Sequence, residues 1–172
     1  MIVLTTALRT TAKSRCALCR ALCEEDINME RQKIIERAIN IETIISMLIT
    51  FHYFPDKEKG INSNFLQDVL YDPYATIAFK INLLQKCFPG FGEKNIQKLR
   101  RIFNIRNIFA HCGLTMSSSV DPKNFSVIDP KKKNEPLDYK KLTDEFNKEA
   151  ENQEKNLFEL AKQSGIPILD KL

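Results

Sequence analysis

The chain contains two histidines, His52 and His111, and His111 has the more suggestive neighbours. It closes the string Ile105-Arg106-Asn107-Ile108-Phe109-Ala110-His111. A histidine titrates near ~6.5 and can take or give a proton at neutral pH. An arginine keeps its charge and can stabilise negative charge on oxygen. Arg106, Asn107 and His111 are therefore the candidate catalytic residues, and the chemistry they suit is proton transfer beside an anion. No phosphate-cradling glycine loop, nucleophile elbow or HExxH motif is present. Cys16-x-x-Cys19 followed by Cys23 has no second nearby pair to complete a structural zinc site, and His111 next to Cys112 is poor geometry for joint chelation. No metal and no cofactor is expected.

On a helical wheel, residues 96–111 place Ile96, Leu99, Ile102, Phe103, Phe109 and Ala110 on one apolar stripe, with Arg106 near its middle. Asn107 and His111, four apart, lie together at its edge. A guanidinium on an apolar face needs a partner, because burying an unpaired charge is costly. Glu42 lies within the apolar stripe of an earlier helix, between Ala38 and Ile49, and is the expected supporting partner of Arg106. The simpler reading of such a pair is that it only sets the packing register of two helices. By the same measure His111 alone reads as a histidine bonding to the free carbonyls of a helix end, and His52 as a packed or capping histidine.

The elements that must position these residues are helices. From about residue 28 to 54, Ile34, Ala38, Ile41, Ile45 and Leu48 recur at spacings of three and four, until Pro55. A second helix is expected over 74–88, with Ile77, Ala78, Ile81, Leu84 and Phe88 on one face, broken by Pro89-Gly90. A third runs from 93 to 111 and stops at Cys112-Gly113. Residues 114–137, with Ser117–Ser119, three prolines and Lys131–Lys133, read as a loop or arm. The lysine triplet reads as solvated charge. A last helix over 139–163 carries Leu142, Phe146, Leu157, Leu160 and Ala161. These predict an all-α chain: an antiparallel bundle of four to five helices. The expected organisation is a poorly ordered tail over 1–28, a core over 29–113, the arm, and a C-terminal stretch 138–172 packing on the core.

Charge says little about partners. The net charge is +4, but Arg9, Lys13, Arg15 and Arg20 supply it within a stretch free of acids; the rest balances at 22 of each sign. That first stretch superficially resembles a transit peptide. The alternative is an upstream start, with Met29 opening the periodic sequence. Five cysteines, an odd number, argue against a secreted disulfide framework and for a cytoplasmic setting. No apolar run is long enough to span a bilayer.

The Arg106–His111 string, with a polar residue directly after the arginine, resembles the R-x(4–6)-H signature of the HEPN superfamily, closest in look to its mannitol-repressor-like and ribonuclease toxin branches. Ile41-Glu42 with Leu48 is similar to that family's opening helix, and Ala78-Phe79-Lys80-Ile81-Asn82-Leu83-Leu84 to its middle helix. The resemblance spans roughly residues 30–113. It implies metal-independent RNA cleavage, in which a 2′-hydroxyl attacks its own phosphate. One motif supplies a single histidine, so the resemblance also implies a homodimer whose two motifs share an acid and a base. The implied partners are RNA, a second copy, and an antitoxin or regulatory protein in a toxin or defence role. The competing reading is a non-catalytic regulatory or protein-interaction module like the mannitol operon repressor. No helix-turn-helix with a basic recognition face accompanies it.

Overall fold

The computed structural model describes residues 3–55, 63–72, 74–111, 113–116, 125–128 and 136–166, with side chains described in 28–55, 64–72, 74–111 and 138–166. Helix α1 runs unbroken over Val3–Tyr53, 51 residues. Residues 3–28 of the stretch expected to be a poorly ordered tail lie in this helix. Neither Gly nor Pro occurs before Pro55, so nothing in the backbone chemistry interrupts it. A short turn α2, Ser63–Phe65, continues as a π-helical turn over Leu66–Leu70. Helix α3 is Ile77–Cys87, capped by Thr76, whose hydroxyl accepts from the Phe79 amide. A 3₁₀ turn, Pro89–Phe91, leads through Gly92 into α4, Glu93–His111. Gly92 has φ of 82°, a left-handed value that only glycine adopts freely.

The helical bundle is the frame, and α1 lies at its centre. Every residue from Ile44 to Phe51 is buried, because α3, α4 and α5 (Tyr139–Gln163) all pack against α1. Ser46 and Thr50 fall within this run. Their hydroxyls donate to the Glu42 and Ser46 carbonyls at 2.9 and 2.8 Å, so neither is left unsatisfied. The core joins Ile34, Ile41 and Leu48 of α1 to Leu84 of α3, Leu99 of α4 and Phe146 of α5. Each such side chain contributes about 1.5–3 kcal/mol by leaving water. Along α5, Leu142, Phe146, Ala150, Gln153, Leu157 and Ala161 form the buried seam, a repeat of threes and fours.

The segment read as a loop or arm contains a three-stranded antiparallel meander: β1 Gly113–Met116, β2 Phe125–Ile128 and β3 Pro136–Asp138, in that spatial order. Gly113 pairs with Ile128, and Val127 with Leu137. Strands this short carry little periodic signal, and the prolines around them obscure it. Ser117–Ser119 and Lys131–Lys133 lie outside the described residues. Asp138 ends the sheet and caps α5, accepting from the Lys141 amide at 3.0 Å. No helix among the described residues is long and apolar enough to cross a membrane.

Candidate active site at the end of helix α4

Helix α4 is buried over a wide arc because it faces α1, α3 and α5 at once. Ile105 and Ile108 are buried along with Ile96, Leu99, Ile102, Phe103 and Phe109. The expected stripe is therefore too narrow: it omits Ile105 and Ile108, which are buried in the same core. Arg106 lies within the arc yet is only half-buried, being near the end of the helix. Its Nη1 donates to Asn107 Oδ1 at 3.0 Å, so the neighbouring amide holds the guanidinium. Asn107 is half-buried too. His111, the last residue of α4, is exposed, one turn beyond Asn107 and two residues before β1 begins.

Glu42 does not pair with Arg106. Its Oε1 accepts from Lys80 Nζ at 2.5 Å. Lys80 is only 2% exposed, and its ammonium lies 4.8 Å from the centroid of the Tyr71 ring. The reason is register. Arg31 of α1 reaches Ala110 of α4. Glu42 lies about 16 Å along α1 from Arg31, whereas Arg106 lies only about 6 Å along α4 from Ala110. Glu42 is thus level with α3, not with the end of α4. The signal for its true partner was present: Lys80 stands three after Ile77 and four before Leu84, inside the apolar stripe of α3.

A second arginine that sequence reasoning missed stands at the same end. Arg31 Nη2 donates to the Ala110 carbonyl oxygen at 2.7 Å, satisfying one of the acceptors that a helix leaves open in its last turn. Its position, three before Ile34 and seven before Ala38, marks it as lying on the inward face of α1. Elsewhere arginines meet carboxylates: Arg37 pairs with Glu154, Arg100 with Glu93 and Arg101 with Glu145. Among the described residues, Arg31 and Arg106 have no such partner. Two half-buried guanidiniums without counter-charge among the described residues, beside an exposed imidazole, make this an end of the bundle that suits an anion.

The other candidates fall elsewhere. His52 is exposed and set edge-on to the Phe88 and Tyr53 rings, with centroids 5.2 and 5.3 Å away, at the C-terminal end of α1 and about 32 Å along it from Arg31. Cys87 is buried, which pushes its thiol pKa up, and a hydrogen bond with Tyr53 acts in the opposite direction. Among the described residues no three His, Cys, Asp or Glu side chains converge on a point where a metal would sit. The side chains of Cys16, Cys19 and Cys23 lie outside the described residues, as does Cys112.

Comparison with protein-family models, curated proteins and solved structures finds no match to the chain.

Proposed function

We propose that the chain is a metal-independent endoribonuclease of HEPN type, acting through a composite site at a homodimer interface. The observation that carries this reading is the end of α4: Arg106 held by Asn107 at 3.0 Å, without a carboxylate partner among the described residues, one turn from an exposed His111. The chemistry balances with these groups alone. One His111 takes the proton from a ribose 2′-hydroxyl, and the freed oxygen attacks the adjacent phosphorus. The bond from phosphorus to the 5′-oxygen breaks, and that oxygen takes a proton from the His111 of the second copy. A cyclic 2′,3′-phosphate and a free 5′-hydroxyl result. Arg106 stabilises the charge on the phosphorane oxygens. Asn107 serves by fixing the guanidinium, not the imidazole.

The test is incubation of purified protein with RNA in EDTA. Cleavage persists with the wild type, leaves cyclic-phosphate ends, and falls by about 100-fold or more in His111→Ala and Arg106→Ala, with circular dichroism unchanged. Intact RNA with a folded wild type sinks the reading.

A second reading is favoured by a specific feature. Tyr53, Phe54, Tyr71, Tyr74 and Phe79 are all exposed, Tyr74 at 90%. Exposed aromatic side chains gathered between the end of α1 and the start of α3 suit protein contacts. A non-catalytic regulatory module like the mannitol operon repressor would use such a surface and leave RNA intact.

A further inference from the structure

We infer that Arg31 is a positioning residue of the ribonuclease site, acting through the main chain of α4 on His111. The inference rests on the nuclease reading above. Arg31 projects from α1, and its guanidinium grips the carbonyl of Ala110, the residue immediately before His111. The last turn of a helix lacks onward hydrogen bonds and frays unless something holds it. Here α4 ends at His111, and β1 begins at Gly113. The imidazole thus stands at a helix–sheet junction, and Arg31 supplies a hydrogen bond to this last turn from outside α4. A histidine that moves a proton must be placed to within a fraction of an ångström, and a displacement of about 1 Å can cost 100-fold in rate.

Charge and geometry favour this role over a simple ion pair. Arg31 is half-buried and has no carboxylate partner among the described residues, whereas Arg37, two turns further on, forms two hydrogen bonds to Glu154 at 2.9 and 2.6 Å. A cation at a helix C-terminus also meets the negative end of the macrodipole. Arg31 and Arg37 are therefore two arginines of one helix with separate tasks: one secures α5, the other secures the turn that carries His111.

The experiment compares Arg31→Met, Arg31→Lys and Arg37→Met in the full chain. Steady-state RNA cleavage in EDTA is measured beside amide hydrogen exchange over residues 108–111. In Arg31→Met, kcat falls about 10- to 100-fold while KM stays within about threefold. The amides of the last turn exchange faster. Lysine at the same position can still donate to the Ala110 carbonyl and recovers most of kcat. Arg37→Met lowers stability but leaves kcat of the folded fraction within about twofold. The inference is overturned if Arg31→Met loses activity only in step with its unfolded fraction, or if KM rises while kcat holds, since that would make Arg31 an RNA contact. If the wild type itself does not cleave RNA, the nuclease reading fails first and Arg31 loses its role with it. The two failures are told apart by the wild type alone.

Discussion

At the scale of single residues, the charged groups divide into those that hold the bundle and those left for chemistry. Glu42 and Lys80 belong to the first kind. Lys80 is 2% exposed, and its ammonium depends on Glu42 and the Tyr71 ring for what water would otherwise supply. Removing one partner of such a pair leaves an uncompensated buried charge, whereas removing both is often neutral. The Glu42 side chain is 26% exposed, so water softens the loss. Glu42→Gln is expected to cost about 2 kcal/mol in urea unfolding, and Glu42→Leu with Lys80→Met to return to within about 1 kcal/mol of the wild type. A cost below about 0.5 kcal/mol for the single change would mean that the pair does not lock α3 to α1.

Among the elements, α5 depends most visibly on charge. Arg37 of α1 holds Glu154, and Lys98 and Arg101 of α4 hold Glu149 and Glu145. Asn95 adds a polar contact, accepting from Gln153 and Asn156 at 3.3 and 3.2 Å. The Arg101 guanidinium, hydrogen-bonded twice to Glu145 at 2.7 Å, holds its carboxyl below the usual carboxylate range. Because the folded-state value is depressed, the pair's contribution is fully present above the unfolded value and is lost as pH falls through the lowered one. Both side chains are more than a third exposed, at 43% and 34%, so solvent screening limits the gain. Arg101→Gln is expected to cost about 0.5 kcal/mol near neutral pH, with the difference from wild type closing below about pH 4. Urea titrations across that range measure it; a gap that persists at about pH 2 would place the effect in packing, not in the ion pair.

For the molecule as a whole, the decisive question is whether two copies of α4 share one site. A composite site is inactive when either copy lacks its histidine, whereas independent sites lose activity only in proportion. Equal mixing of wild type with His111→Ala, after subunit exchange, leaves about one quarter of the dimers with both histidines. Activity per wild-type chain should then fall by about half. Unchanged activity per wild-type chain, with exchange verified by mass spectrometry, would rule out sharing across the axis.

Local patterning in the chain marks four helices and most of their inward faces, though not the first half of α1, where no apolar period is read. Apolar spacing marked Ile34 to Leu48 in α1, Ile81 and Leu84 in α3, and Phe146 to Ala161 in α5. Pro55, Pro89-Gly90 and Gly113 marked the breaks, because periodicity and backbone restriction are local properties of the chain. The string carrying Arg106, Asn107 and His111 was legible for the same reason. Partner choice was not. Glu42 offered one carboxylate to two cations that both lay on inward faces, and only the relative register of α1, α3 and α4 assigned it to Lys80. That same register brought Arg31, 79 residues away in sequence, onto the carbonyl beside His111. Spacing along one helix reports which face a residue takes; it carries no information about the height at which another helix meets it, and that height decided which charges are paired and which two remain beside the histidine.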